Sequence, residues 1–302
     1  MQHPTLVRSG LVAMLALCLT ASDAPPATAQ RAPGAVVTTR VSVASDGTQA
    51  NAHVDSFEIS GDGRYVAFAT SANNLISGDT NGVGDVFVHD RQTGQTTRVS
   101  VSSGGTQATV HCEAPDISAD GRYVAFQSAA VELVLSDTNS HKDIFVRDRQ
   151  TGNTTRVSVS SLGTQANGGS ANPALSADGR FVAFSSYAAN LVVFDLNAHT
   201  DIFVHDRQTG ETTLVSVASD GTQGNWDSLV PMISGDGRYV TFYSQATNLV
   251  PNDTNGSGDI FLHDRQTGQT TRVSVASDGT QGNFGADTRH AISADGRYIA
   301  FE

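Results

Sequence analysis

The chain has 302 residues and a formal net charge of −12, from 18 Lys plus Arg against 30 Asp plus Glu. That acidic balance argues against a nucleic-acid binder, which needs a basic face to displace counterions, and against electrostatic docking on anionic lipid. Hydrophobic content of 38% beside 16% charged residues is enough to fill a buried core.

The first predicted element is a targeting one. Arg8 closes a short basic start, Leu11–Leu19 is an apolar run, and Ala27-Thr28-Ala29 is a small-x-small site. In that order they predict a cleaved secretory signal over residues 1–29. The run is too short to span a bilayer, so no transmembrane segment is expected after cleavage. Leu17 stands before Cys18 where a lipoprotein signal needs a small residue. With the signal removed, Cys112 is the one remaining cysteine, and an intramolecular disulfide is impossible. Residues 30–37 are predicted to be a short linker, and the protein is expected to be periplasmic or secreted.

From residue 38 to 302 the chain repeats itself, and the repeat decides the architecture. Ile59-Ser-Gly-Asp-Gly-Arg-Tyr-Val-Ala-Phe68 returns four times, with the Asp of Asp-Gly at 62, 120, 178, 236 and 295, so the unit is 58 or 59 residues. Asp85-Val-Phe-Val-His-Asp-Arg-Gln-Thr-Gly94 returns from Asp143, Asp201 and Asp259. Thr-Thr-Arg-Val-Ser-Val starts at Thr38, Thr96, Thr154 and Thr270, with Thr212-Thr-Leu-Val-Ser-Val as the variant.

Each unit holds four β-prone runs, in the second unit Pro115–Ser118, Arg122–Ser128, Asp143–Arg149 and Thr154–Val159. Val, Ile, Phe, Tyr and Thr dominate them. Ala119-Asp120-Gly121 and Gln150-Thr151-Gly152 supply the turns, with Gly at the positive-φ place. Tyr123-Val-Ala-Phe126 is apolar on consecutive residues, as in a strand covered on both faces. Such a unit must stack on copies of itself. The prediction is an all-β β-propeller of four-stranded blades, four complete plus one partial. Val36–Val43 copies a fourth strand and is expected to complete the fifth blade across the seam, closing or nearly closing a five-bladed ring.

The Ser-x-Asp-Gly-Arg-Tyr-Val-Ala-Phe and Asp-Ile-Phe-Val-His-Asp runs resemble the WD40-like (PD40) repeats of TolB-type β-propellers over residues 38–302. The resemblance implies the propeller fold. Two departures stand out: Ala or Gly before Asp-Gly, where that family often has Pro, and a longer repeat. The N-terminal α/β domain of TolB has no counterpart, so its protein partnership is not implied. Related propellers cap serine peptidases, but no Gly-x-Ser-x-Gly stands in this chain.

Among candidate sites, Asp-x-Asn-x-x-x-Asp occurs in every complete unit, as Asp79/Asn81/Asp85, Asp137/Asn139/Asp143, Asp195/Asn197/Asp201 and Asp253/Asn255/Asp259. Oxygen ligands at alternate loop positions suit a hard cation, and calcium is the expected cofactor if there is one. The competing reading is an Asx turn followed by a carboxylate that pairs with an Arg. His89, His205 and His263 share one repeat position, which Arg147 takes in the second unit. A local hydrogen bond explains them better than a metal ring. Trp226, the single tryptophan, is expected to anchor a loop or stack on a partner. Cys112 lacks the base and orienting group of a nucleophile.

Export, repetition and the lack of a catalytic set unique to one blade point to a non-catalytic binding or scaffold protein, with an envelope or extracellular protein or glycan as partner. The rival is a polysaccharide-active enzyme, a lyase or glycosidase, with carboxylates meeting at the channel mouth; Glu58, Glu113 and Glu132 are the candidates.

Overall fold

The computed structural model describes residues 37–302; the signal sequence and nearly all of the linker lie outside the described residues. Residues 40–302 form one compact unit. Within it the fifty-eight-residue unit becomes a four-stranded antiparallel meander. Blade one holds β1 (Val54–Ile59), β2 (Tyr65–Thr70), β3 (Asp85–Asp90) and β4 (Thr96–Arg98); blade two holds β5 (Cys112–Ile117), β6 (Tyr123–Ser128), β7 (Asp143–Asp148) and β8 (Asn153–Arg156). Blade three follows as β9 (Ser170–Leu175), β10 (Phe181–Ser186), β11 (Asp201–Asp206) and β12 (Thr212–Leu214). Blade four is β13 (Ser228–Ile233), β14 (Tyr239–Ser244), β15 (Asp259–Asp264) and β16 (Gln269–Arg272). A fifth sheet has two strands, β17 (His290–Ile292) and β18 (Ile299–Phe301). Sequential strands pair in order in every sheet, which makes this a blade-type β-propeller fold.

The consecutive apolar runs lie where strands are covered on both faces. β3 is buried along its whole length, and β2 for all but its first residue. Within each blade the Phe of the second strand stacks on that of the third: Phe68–Phe87, Phe126–Phe145, Phe184–Phe203 and Phe242–Phe261 have ring centroids 5.8–6.0 Å apart. Between blades, the aromatic after Asp-Gly-Arg packs on the turn glycine of the next blade. The ring of Tyr65 covers Gly121, Tyr123 covers Gly179, Phe181 covers Gly237 and Tyr239 covers Gly296. A Cβ at Gly121 would stand 2.1 Å from Tyr65 Cδ2, and its φ of +71° already disfavours other residues, so glycine is required twice over.

The residue before Asp-Gly also links blade two to blade three, blade three to blade four and blade four to the fifth sheet. Ala119 N–H donates to Ala177 O (2.8 Å), Ala177 N–H to Gly235 O (2.9 Å) and Gly235 N–H to Ala294 O (2.8 Å). Proline at Ala119, Ala177 or Gly235 would remove that donor, which accounts for Ala or Gly at these three positions where the resemblance leads one to expect Pro.

Two expectations are corrected. The inner strand of blade two starts at Cys112, not Pro115, and passes through a bulge at which Ala114 takes φ +49°; Asn172 (+55°) and Val230 (+51°) repeat it in blades three and four. Each is followed by proline, which has no N–H to offer the ladder, so the irregularity absorbs a residue the pleat cannot use. Second, the ring does not close among the described residues. Ile59 is 52% exposed where its counterparts Ile117, Leu175 and Ile233 are 7–9% exposed. Tyr298 is likewise open, and no strand of the fifth sheet packs on β1 as the other blades pack on their neighbours. The segment around Val43 joins no strand of the fifth sheet. It forms a bridge to Gln49, and Val43 O accepts Thr96 Oγ1 at the outer edge of blade one.

Candidate functional site

The four Asp-x-Asn-x-x-x-Asp loops lie on one edge of the blades, between the second and third strands. In blades one, two and four an arginine from the fourth strand is seated between the two carboxylates. Arg98 Nη1 is 3.2 Å from Asp79 Oδ1 and 3.2 Å from Asp85 Oδ2. Arg156 stands 3.3 and 3.4 Å from Asp137 and Asp143, and Arg272 stands 3.2 and 3.6 Å from Asp253 and Asp259. The register explains why: Arg98 lies opposite Phe87, two residues along β3 from Asp85, so its side chain reaches the start of that strand. A serine hydroxyl takes the other carboxylate oxygen, as Ser100 does for Asp85.

The asparagines of these loops are held by the backbone. The side-chain carbonyl of Asn81 accepts the Val83 N–H (3.3 Å), that of Asn139 the His141 N–H (2.9 Å) and that of Asn255 the Ser257 N–H (3.0 Å), so each closes an Asx turn. Their Nδ2 groups donate across to the following inter-blade segment, at Ala108 O (3.0 Å), Ala166 O (2.8 Å) and Gly282 O (3.0 Å). In three loops, Asp79/Asn81/Asp85, Asp137/Asn139/Asp143 and Asp253/Asn255/Asp259, a guanidinium thus stands between the two carboxylates and Asn81, Asn139 and Asn255 turn the backbone, the arrangement that the Asx-turn reading expects.

Blade three differs because Leu214 replaces that arginine. Asp195 and Asp201 are both buried and share only neutral donors. Gln223 Nε2 donates to Asp195 Oδ1 (2.8 Å) and to Asp201 Oδ2 (3.0 Å), and Asn197 Nδ2 donates to Asp201 Oδ2 (2.8 Å). Asn197 also closes an Asx turn, through the His199 N–H (2.9 Å). Burial pushes the Asp201 carboxyl up to about 6, with the charge of Asp195 adding to the effect and the hydrogen bonds from Ser216, Asn197 and Gln223 opposing it. Among the described residues no group of three or more His, Cys, Asp or Glu side chains is arranged to hold a metal ion.

The same edge of blade three carries a second departure. At the loop positions where blade one has Ser77, Gly78 and Thr80, blade three has Val193, Phe194 and Leu196, each more than three-quarters exposed. Exposed Tyr187 follows β10 on this edge. Trp226, from the adjoining segment before β13, is also exposed, and its ring centroid lies 5.1 Å from that of His199 on the same loop. Asp227 accepts the Thr200 N–H (2.7 Å) and fixes that loop against the next blade. A cleft of about 640 Å³ opens beside blade four, lined by Asp220, Asn248, Pro251 and Asn252 among others.

The other candidates resolve into structure. His89, His205 and His263 are buried, each with Nδ1 2.8–2.9 Å from the hydroxyl of Thr96, Thr212 or Thr270. Burial lowers all three, His205 to about 4, so they are neutral. Arg147 makes the corresponding bond to Thr154 Oγ1 (3.0 Å). The Asp-Gly-Arg arginines grip the carboxylate closing the third strand through two bonds, as Arg64 Nε and Nη2 do with Asp90 (3.0 and 2.7 Å). That pairing holds Asp90 well below the usual carboxylate range. Cys112 is buried, and burial pushes its thiol up to about 12.

Of the carboxylates proposed for chemistry, Glu113 pairs with Lys142 (2.8 Å) and Glu132 accepts the Thr109 N–H. Glu58 lies on β1 near Asp116 of β5, which sequence reasoning missed. Burial pushes Asp116 up to about 7 although the amides of Leu175 and Ile117 donate to it, and the charge of Glu58 adds to the rise. The signal was present: at this repeat position the chain reads Glu58, Asp116, Ala174, Met232 and Ala291.

No protein-family model matches the chain, and no curated protein matches it. Among solved structures it is similar to the putative TolB from Agrobacterium tumefaciens, at 16% identity over 83% of this chain and 75% of that one, with a TM-score of 0.50. TolB from Acinetobacter baumannii matches at 20% identity and a TM-score of 0.45, over 72% of this chain and 42% of that one. The tricorn protease matches at 15% identity and 0.47, over 82% of this chain and 24% of that one. This chain therefore spans less than half of the Acinetobacter protein. At these identities the likeness is one of fold, and the fold is a TolB-like β-propeller.

Proposed function

We propose that this protein is an exported, non-catalytic binding protein that docks an envelope or extracellular protein or glycan on the blade-three edge. One observation carries the reading. The repeat departs from its pattern on that edge, where blade two exposes Leu135 at the counterpart of Val193 and blade three places Val193, Phe194, Leu196, Tyr187 and Trp226 together in solvent. Clustered exposed apolar and aromatic side chains on a rigid scaffold are the usual make-up of a docking surface. Export rests on the residue 1–29 signal pattern. The test is retention of envelope proteins and glycans by tagged mature protein, compared with a Phe194→Ser/Leu196→Ser/Trp226→Ala variant. The proposal expects a defined ligand that the variant loses; equal retention by both forms sinks it.

The calcium reading continues as a proposal, tested most directly at Asp195, Asn197 and Asp201, where Leu214 stands in place of the arginine. Millimolar Ca²⁺ should raise the melting temperature of the wild type and leave Asp195→Asn/Asp201→Asn unchanged; no shift in the wild type ends it.

A second reading, a polysaccharide-active enzyme, draws on Glu58 and Asp116, carboxylates that only blades one and two carry at this position and that burial raises in both cases, Asp116 to about 7. Turnover of acidic or neutral polysaccharides that Asp116→Asn abolishes would favour it over binding.

A further inference from the structure

Blades three and four build the same notch from different chemistry. In blade four an outer turn and the acidic loop enclose the cleft of about 640 Å³, where Asp220, Pro251, Asn252 and Thr254 are among the lining residues. Blade three repeats both walls. Its outer turn is hung on the blade by Ser161 Oγ donating to Thr212 O (3.3 Å), as that of blade four is by Ser219 Oγ donating to Thr270 O (3.3 Å). The four lining positions, however, read Leu162, Val193, Phe194 and Leu196 in blade three. In blade one they are Asp46, Ser77, Gly78 and Thr80, and in blade two Gly104, Leu135, Ser136 and Thr138. Blade three alone of the four complete blades is apolar at every one. These four side chains are 77–93% exposed, so they do not cover one another and leave an apolar patch in water.

A fifth change belongs with these four. Leu214 removes the guanidinium that stands between the paired carboxylates of the other complete blades. One of the two carboxylates left without it, Asp195, lies in the chain between Phe194 and Leu196. The surround supplies no positive charge either. Residues 186–200, 214–228 and 245–258 hold Asp195, Asp220, Asp227 and Asp253 and no Lys or Arg. An apolar notch is thus set in an acidic edge, and the loop beneath it carries a charge that its counterparts neutralise from within.

We infer that this notch takes a segment of a separate protein that is both apolar and basic. A bulky aliphatic or aromatic side chain enters among Leu162, Val193, Phe194 and Leu196, and a Lys or Arg beside it stands over the loop of Asp195 and Asp201. The inference rests on the docking reading given above and narrows it to one class of partner. A glycan fits worse, because aliphatic walls offer nothing to hydroxyls that lose water there. A second copy of this chain fits worse as well, since it would bring the same acidic edge of a protein at net −12 against this one.

The probe is a phage-displayed random peptide library, panned against tagged mature protein in chelator so that no metal ion sits at Asp195 and Asp201. Phe194→Ser/Leu196→Ser is the counter-target; both side chains are exposed, so this variant keeps the wild-type melt. Enriched sequences should pair a large apolar residue with Lys or Arg. A labelled synthetic copy of the leading peptide should bind wild type saturably by fluorescence anisotropy and bind the variant at least about tenfold more weakly. Its affinity should fall as NaCl is raised. Leu214→Arg leaves the four apolar side chains in place and returns a guanidinium to the carboxylates. It should weaken the same peptide by about threefold or more and flatten the salt dependence. Enriched peptides that are neutral or acidic, or whose binding ignores both salt and Leu214→Arg, overturn the inference. So does a library that yields no peptide the double variant loses. In that last case a glycan array read with both proteins separates the two readings: a glycan lost by the variant leaves docking on this edge standing, and no such glycan ends both.

Discussion

Replacing Leu214 by arginine should convert blade three to the arrangement of its neighbours and reduce a pH dependence of the protein. In the wild type the Asp201 carboxyl is raised from its ordinary 3.8 to about 6. A raised acid pKa means the folded state binds the proton more tightly than the unfolded chain. Stability from this group is therefore fully present below about pH 4, falls as the pH rises from 4 to 6, and is flat above. A rise of that size corresponds to a span of roughly 3 kcal/mol, a large fraction of the roughly 5–15 kcal/mol that typically holds a domain together.

Leu214→Arg places a guanidinium where Arg98 sits, 3.2 Å from each carboxylate of blade one, and favours ionised Asp201. The change also loses the packing of a partly buried leucine against the blade-three core, about 1 kcal/mol. The variant should thus be less stable than wild type near pH 4 by about 1 kcal/mol and more stable above pH 6 by about 1–2 kcal/mol, with the curves crossing between. Urea unfolding of both proteins at single pH steps from 4 to 8 measures this, and groups common to both cancel in the difference. A difference that stays constant within about 0.5 kcal/mol across that range would refute the idea that Asp201 lacks a counter-charge in the fold.

The complementary change, Arg98→Ala, leaves Asp79 and Asp85 buried face to face and should cost on the order of 3–5 kcal/mol, read by the same unfolding experiment at pH 7. Gly121→Ala, whose Cβ would enter the Tyr65 ring, should cost more than about 3 kcal/mol. Gly47→Ala, at φ +88° with nothing within 4 Å, should cost only about 1 kcal/mol. Cys112 should resist a thiol reagent at pH 8 until the protein unfolds, because its thiol is buried and pushed up to about 12; prompt labelling of native protein would place it at the surface.

The blade plan was legible because three short blocks recur at one spacing, and each block maps to a strand or a turn. The acidic loops were legible as a pattern but not as chemistry. Asp79 and Asp85 meet Arg98 only through the β3–β4 register, and the block that contains Arg98 showed no link to the loop thirteen or more residues before it. Asn81 could be read equally as a ligand or as a turn former until its partners, Val83 and Ala108, were in place. The Leu214 variant was visible in the sequence, and its consequence followed only once that register was known. The inner-strand bulge hid for a related reason: Pro115 suggested a strand beginning, whereas the structure sets Ala114 at positive φ and runs the strand through.

Trp226 gives the central claim its most direct test, since it is the single tryptophan and 52% exposed on the proposed docking edge. Its emission should be recorded while mature protein is titrated with a retained envelope protein or glycan. The account predicts a saturable blue shift as the ring is covered, lost in the Phe194→Ser/Leu196→Ser variant. Saturated binding with unchanged Trp226 emission would place the ligand elsewhere and contradict it.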